Sequence, residues 1–472
     1  MNATYGDFIA RKLTVHPPSG LARVPALHPR LFPHQSDLAR WGLKLGRAAI
    51  FANTGLGKTA MELVTADVLA RETGRPSLIV CPLAVAAQTA DEGLAFGLDV
   101  NVCRDASDLA AGINVVNYDR LERFDPAALG ALLLDESSII KHHDSKTLKH
   151  LLDFGRSIAF RLCFTATPAP NDWTELGTHA EFLGVCTRAE MLSEFFCHDG
   201  GETQVWRLKG HARAAFWRWV SSWGALVRSP EDLGHDGSRY NLPPCEVHDH
   251  IIPTSRETAK NAGVLFAAEA RSLMDRRDAR RASIDDRVAA CAQMVSADSS
   301  EPWIVWCDYN AESEALTRAI PGAAEVRGSM PAEEKEARLR AFACGDVRVL
   351  VTKPSIAGWG LNWQHCARVA YVGVTDSWEA YYQSKRRVWR FGQTRPVHVH
   401  RFASEAEGAV IANLRAKEES AEEMSRALAA ETRDAMRASV LGAVRSVNAY
   451  DPREPFVAPA WLHTIRDEET SQ

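Results

Sequence analysis

Apolar residues in this chain fall into short unbroken runs separated by helix-compatible stretches, the pattern of strands buried on both faces. In the first half the runs are 47–51, 77–81, 113–117, 131–135 and 159–164; in the second they are 303–307, 323–327, 348–352, 368–372 and 397–402. Strands alternating with helices predict two tandem α/β units, each built on a parallel sheet. Between them, Pro230, Gly234, Asp236, Gly237, Pro243 and Pro244 break the periodicity, so 229–244 reads as a joint. The expected organisation is 1–228, the joint, 245–403 with a helical insertion at 260–294, and an extension at 404–472. Within the extension, 404–447 is rich in Ala, Glu and Arg and reads as a helix bracing the second unit, and the proline-containing end 448–472 reads as a loosely docked tail. A further helix is expected over 331–342, capped by Ser329 and stopped near Gly345. Trp206, Trp217, Trp219 and Trp223 recur at near-helical spacing, which predicts a packed helix face within 205–227 in preference to a base-stacking platform.

Two of the strand ends carry chemistry. After 48–51 comes Ala52-Asn53-Thr54-Gly55-Leu56-Gly57-Lys58-Thr59, followed by the helix-compatible 60–71. Glycines there let backbone N–H groups crowd a phosphate, Lys58 supplies charge for the outer phosphates, and the Thr59 hydroxyl can ligate Mg²⁺ at a helix N-terminus. Thr54, Gly55, Leu56 and Gly57 complete the cradle. The run 130–136 ends in Asp135-Glu136, two carboxylates delivered where ligands bind open parallel sheets. Asp135 is expected to hold the metal, and Glu136 to orient and deprotonate an attacking water.

Composition narrows the setting. The 472 residues exceed one ordinary core, and no apolar run approaches the roughly 20 residues of a membrane span. The N-terminus lacks a secretory apolar region, so a cytoplasmic location is expected. Ten cysteines occur without a CxxC pair, which argues against a zinc ribbon or disulfide framework. A formal charge of −5 excludes a uniformly basic coat. The charge is uneven, however, with Lys385, Arg386, Arg387, Arg390, Arg395 and Arg401 clustered near the second unit's last strands. The cluster Arg276, Arg277, Arg280 and Arg281 fits either a polymer backbone or a solvated helix, because aspartates dilute it.

Over roughly residues 28–403 the order of motifs resembles superfamily 2 helicases and translocases, most closely the Swi/Snf-like branch. Leu31-Phe32-Pro33-His34-Gln35 is similar to the adenine-sensing motif, 79–83 to motif Ia, and Val116-Asn117-Tyr118 to a backbone-contacting segment. Asp135-Glu136-Ser137-Ser138 is similar to motif II, with Ser138 where His or Asp is common, and 164–168 with Asn171 is similar to motif III. Residues 303–309 resemble motif IV. Thr352 to Gln364, with Gly358-Trp359-Gly360-Leu361-Asn362-Trp363-Gln364, resembles motif V, and Gln383 to Gln393 resembles the Gln-x-x-x-Arg-x-x-Arg-x-Gly-Gln form of motif VI.

The resemblance implies two RecA-like domains with an ATP cleft between them, and ATP with Mg²⁺ as cofactors. Gln35 would read the adenine edge and Gly360 would approach the nucleotide. Gln383, Arg387 and Arg390 would join Lys58, Asp135 and Glu136 as the catalytic set, while Pro82, Tyr118 and Thr352 would touch nucleic acid. The implied activity is an ATP-dependent translocase on DNA, expected to be double-stranded, with a helicase on RNA or a forked strand as one alternative. A nucleotide-gated clamp with little turnover, suggested by Ser138, is the other. The partners implied are DNA and replication, recombination or restriction proteins.

Overall fold

The computed structural model describes residues 17–82, 85–169, 172–199, 202–253, 280–358, 362–373, 377–405 and 408–442. In the first lobe, α1 (Pro33–Leu45), β1 (Arg47–Ala52), α2 (Lys58–Thr73), β2 (Ser77–Cys81), α3 (Ala86–Ala95), β3 (Val100–Val102), β4 (Ile113–Asn117), β5 (Ala131–Asp135), α4 (Lys146–Gly155) and β6 (Phe160–Thr165) follow one another. They are succeeded by α5 (Leu176–Leu183), α6 (Arg188–Phe195), a hairpin of β7 (Phe196–Asp199) and β8 (Glu202–Leu208), α7 (Arg213–Val220) and β9 (Gly224–Val227). The sheet has the order β3-β4-β2-β5-β6-β1-β9 and every pairing is parallel.

The second lobe contains β10 (Cys245–Ile252), α8 (Ile284–Ala297), β11 (Trp303–Cys307), α9 (Asn310–Ala319), β12 (Ala323–Glu325), α10 (Ala332–Cys344), β13 (Val349–Thr352), β14 (Arg368–Val372), α11 (Trp378–Lys385) and β15 (Val397–Ser404). Its sheet, β10-β15-β14-β11-β13-β12, is also parallel throughout. Helices cover both faces of each sheet, so Leu132, Leu133 and Leu134 of β5, and Ile304, Val305 and Trp306 of β11, are all buried despite pointing alternately up and down. Two packed parallel sheets with flanking helices are the tandem RecA-like architecture expected from the sequence.

Several local expectations need correction. The tryptophan region is not one helix: α7 spans only Arg213–Val220, preceded by β8 and followed by β9, the edge strand of the first sheet. Trp217 and Trp223 do pack into the core. The helix α10 begins at Ala332 with Pro331 as its N-cap and no side-chain cap, so Ser329 does not cap it, whereas Gly345, at φ 85°, ends it as anticipated. Of the 260–294 insertion, 254–279 lies outside the described residues. Arg280 pairs with Asp308 at 3.2 Å, and fully buried Arg287 pairs with Glu312 at 2.9 Å, so Arg280 serves the lobe's interior.

The long C-terminal helix α12 (Gly408–Leu441) does more than brace the second lobe. Ile411 and Leu414 are buried near its start, Leu414 within the second lobe's core, and Glu418 pairs with Lys385 of α11. Met436, near its end, joins the first lobe's core; Ser439 accepts a hydrogen bond from Trp41 at 3.0 Å, and Arg433 pairs with Asp232 at 3.3 Å. One helix thus ties both lobes together. The tail containing Phe456 and Trp461 lies outside the described residues.

Candidate functional site

The loop Ala52–Lys58 leaves the carboxyl end of β1 and turns directly into α2. Gly55 and Gly57 have φ 93° and 80°, a conformation that L side chains rarely adopt. Sterics make the same demand: a Cβ on Gly57 would lie 2.1 Å from Gln35 Nε2, and one on Gly55 would lie 3.0 Å from Phe391 of the second lobe. Lys58 Nζ donates to the Ala52 carbonyl at 3.2 Å, folding over the loop, and the buried Thr54 hydroxyl has no hydrogen-bond partner. Thr59 follows at the start of α2, half-buried beside the loop. The cradle's open glycine backbone and orphaned hydroxyl suit a phosphate group.

Strand β6 lies between β1 and β5, so three adjacent strand ends bring together the loop, Thr165–Thr167 and Asp135-Glu136. Asp135 Oδ1 accepts from the Glu136 N–H at 2.9 Å, and Thr165 Oγ1 lies 3.5 Å from Glu136 Oε2. Glu136, at φ 50°, is the single non-glycine residue with positive φ among the described residues. Such strain costs on the order of 1–3 kcal/mol and concentrates where a side chain must be aimed. Ser137 and Ser138 are buried behind it, Ser137 Oγ meeting His179 Nε2 at 3.1 Å.

A third carboxylate, missed in the sequence, completes this corner. Glu62 lies one helical turn beyond Lys58 on α2, fully buried, its carboxyl meeting that of Asp135 without an N–H or hydroxyl donor. Burial first, then the Asp135 charge, holds its carboxyl well above the usual range, and Lys58 opposes this. Burial, then Glu136, raises Asp135 to about 7. Two buried carboxyls this close share a proton more readily than they both ionise. A divalent cation held by Asp135 and Thr59 would relieve the repulsion, so the donor set fits Mg²⁺. Because the folded-state values are raised, this corner favours the native state below the unfolded carboxylate value, about 4. That contribution is lost as pH rises through 7. Glu62→Gln is therefore expected to melt like wild type at pH 4 in metal-free buffer and several degrees higher at pH 8; equal melting temperatures at pH 8 would contradict it.

The second lobe closes over this corner. Gln383 Nε2 donates to Thr167 Oγ1 at 3.2 Å, Tyr382 donates to Asn53 Oδ1 at 3.0 Å, and Lys141 pairs with Glu379. Arg387 is buried and held by Gln383, its Nε donating to the carbonyl at 3.0 Å and its Nη2 to the side-chain oxygen at 3.1 Å. Burial lowers its guanidinium's affinity for the proton, while Glu136 and Asp135 pull it back up. Burial and the neighbouring Arg387 bring Arg390 down to about 10, against the pull of Glu92 and Glu136. Both arginines are thus buried in the second lobe close enough to Glu136 of the first to feel its charge. The remainder of the basic cluster is otherwise engaged: Lys385 with Glu418, Arg395 with Glu301, Arg401 with Asp249, and Arg386 stacked on Trp389.

Beside the loop stands an aromatic wall that the sequence did not announce. Tyr240, from the joint, lies 4.8 Å from Phe391 and 6.3 Å from Phe32 between ring centroids, and 5.3 Å from His34. Gln35 is anchored here differently from expectation: Nε2 donates to the Leu56 carbonyl at 3.0 Å and Oε1 accepts from the Phe32 N–H at 3.0 Å. Its amide holds the loop, leaving the rings as the flat surfaces. Leu56, whose carbonyl Gln35 holds, is buried in the first lobe's core.

The expected polymer contacts divide. Pro82 lines an interlobe cavity of about 660 Å³, together with Asp91 and Glu92 of α3, Lys335 and Arg340 of α10, and Asn362. Arg340 pairs with Asp91 at 3.6 Å across it. Thr352 is fully buried, its side chain turned into the lobe and donating to the Val326 carbonyl at 3.0 Å. The Tyr118 hydroxyl donates to the Asp135 carbonyl at 2.7 Å, bracing β5 instead of facing the cavity. Gly360 and Asn171 lie outside the described residues.

Residues 286–392 match the family model of the helicase conserved C-terminal domain. Among solved structures, the Sulfolobus solfataricus SWI2/SNF2 ATPase core in complex with dsDNA is similar at 18% identity and a TM-score of 0.41, covering 88% of this chain and 98% of that one. A search among curated proteins finds no match. Among the described residues, no helix is long and apolar enough to cross a membrane.

Proposed function

We propose that the chain is a Swi/Snf-like superfamily 2 ATPase that hydrolyses ATP in the seam between its lobes and uses the closure to move along DNA; the helicase C-terminal domain matched by residues 286–392 and the paired parallel sheets support this reading. The observation that carries this reading is the closed seam: Gln383 bonds Thr167 across it, Phe391 packs on Gly55 of the loop, and the buried Arg387 and Arg390 beside them feel the charge of Glu136.

In this reading the glycine-rich loop and Lys58 take the triphosphate, and the base slides against Phe32, Tyr240 and Phe391. Thr59 and Asp135 would hold Mg²⁺, which when bound would supply positive charge against the outer phosphates. Glu136 positions a water and accepts its proton. Arg387 and Arg390 face the equatorial oxygens of the transferring phosphoryl group, where charge spreads in the transition state. Gln383 orients Arg387 and, through Thr167, reports closure to the strand end beside Glu136. Hydrolysis weakens the contacts that only the triphosphate makes with both lobes, and the seam relaxes.

Nucleic acid would occupy the interlobe cavity by Pro82, where its phosphates compete with Asp91 for Arg340. Contact confined to the backbone is independent of sequence, as translocation requires. The test is steady-state ATP turnover with duplex DNA, single-stranded DNA, RNA or no polymer. Duplex DNA is expected to stimulate most. Strongest stimulation by RNA would replace the substrate, and identical rates in all four conditions would overturn the motor reading.

A further inference from the structure

On the far edge of the second sheet, β10 and β15 run side by side in parallel register, Glu246 opposite His398, His248 opposite His400 and His250 opposite Phe402. Side chains alternate along a strand, so these residues share one face. Imidazole and carboxylate therefore meet in a ladder: His248 Nε2 lies 3.3 Å from His398 Nδ1, Glu246 Oε2 lies 3.3 Å from His398 Nδ1 and 3.7 Å from His248 Nε2, and one rung further His250 Nε2 lies 3.0 Å from His400 Nδ1. Edge strands are ordinarily kept soluble by lysine, proline or bulges. Four stacked histidines are an unusual choice for that task.

We infer that Glu246, His248 and His398 form a binding site for a transition-metal dication of the zinc type, separate from the nucleotide seam. The three donor atoms make a nearly equilateral triangle whose centre is about 2.0 Å from each corner, the length of a zinc–imidazole or zinc–carboxylate bond. Two nitrogens and one oxygen select zinc, cobalt, nickel or copper over Mg²⁺ and Ca²⁺, which prefer all-oxygen shells. The rings of His248 and His398 stack 16° from parallel, so coordination requires each to turn until both lone pairs converge. That rotation is open to them, since the side chains are 41% and 27% exposed.

The surroundings accept the added charge. The nearby cation, Arg368, is already paired with Asp298 at 3.2 Å. A cleft lined by Gln293 and Met294 of α8 and by Trp303 gives access and leaves a fourth position for water. An ion here would bolt β10, the first strand after the joint, to β15 within the sheet, so its expected role is to stabilise the lobe at its entry.

The test uses the full chain, stripped of metal by chelation, with zinc and cobalt as probes. Calorimetry is expected to show one tight zinc site, a raised melting temperature and no response to Mg²⁺ there, and cobalt is expected to give the visible spectrum of a four-coordinate nitrogen and oxygen site. His248→Ala and His398→Ala should each weaken zinc binding at least about tenfold, and the isosteric Glu246→Gln should also weaken it, while exposed His211→Ala should not. Zinc binding that survives both histidine substitutions, or no zinc binding by the intact chain, would overturn the assignment. The ladder is partly exposed, so the variants should fold, which circular dichroism would check.

Discussion

Arg387→Ala is expected to bind ATP nearly as well as wild type and to hydrolyse it roughly 10³–10⁵ times more slowly, the range by which an arginine finger accelerates phosphoryl transfer. The reason lies in where the charge develops. In the proposed reading the ground-state triphosphate is served by the loop glycines and Lys58, all in the first lobe, so losing a second-lobe cation should change affinity little. The transition state adds charge on oxygens facing the other lobe, and only interactions that strengthen there raise the rate. The guanidinium is also held in advance: Gln383 fixes it through two hydrogen bonds, so little reorganisation is needed at the moment of reaction. Arg387→Lys should recover only part of the rate, because an ammonium cannot reproduce the planar fork. Binding titrations beside single-turnover hydrolysis separate the two effects. A normal hydrolysis rate in Arg387→Ala would remove it from the catalytic set.

Glu136→Gln should keep nucleotide affinity and lose about 10²–10⁴ in turnover, the usual contribution of a positioned general base. The amide occupies the same volume but cannot accept the water's proton. The backbone strain at Glu136 remains, since Gln would inherit the φ of 50°. ATP should then keep the lobes together, and the variant is expected to stay on nucleic acid longer than wild type. Measured dissociation from DNA in the presence of ATP checks this; a fast release equal to wild type would detach hydrolysis from opening.

Much of this site was legible because its parts are local. A glycine-rich turn after an apolar run, two carboxylates ending another, and two arginines three residues apart each carry their geometry in a few residues. What escaped was set by tertiary contact. Tyr240 sits in a proline-broken joint with no periodicity, and only the folded chain brings it to Phe32 and Phe391. Glu62 was accessible in principle, being four residues past Lys58 on one helical face, yet a lone glutamate in a helix usually faces water. At Thr352 motif position suggested contact with nucleic acid, and the folded chain shows its side chain buried and bonded to the Val326 carbonyl, which the motif alone did not convey. The strand β10 was overlooked because Cys-Glu-Val-His-Asp-His alternates without an apolar face, as an edge strand can. The extension's helix was expected, but its grip on both lobes depends on Ser439 finding Trp41, 398 residues away, and on Met436 joining the first lobe's core, a relation no local pattern encodes.

The central claim is that the nucleotide's charge draws two lobes together through arginines of the second. It is tested most directly by the interlobe distance, measured between a label on Cys344, the exposed cysteine of α10, and one introduced at exposed Asp153 of α4. With ADP and aluminium fluoride mimicking the transition state, wild type should show one short, narrow distance distribution, broadening with ADP alone, and the Arg387→Ala, Arg390→Ala double variant should remain broad in both. Identical distributions for wild type with ADP and with the transition-state mimic would contradict the account.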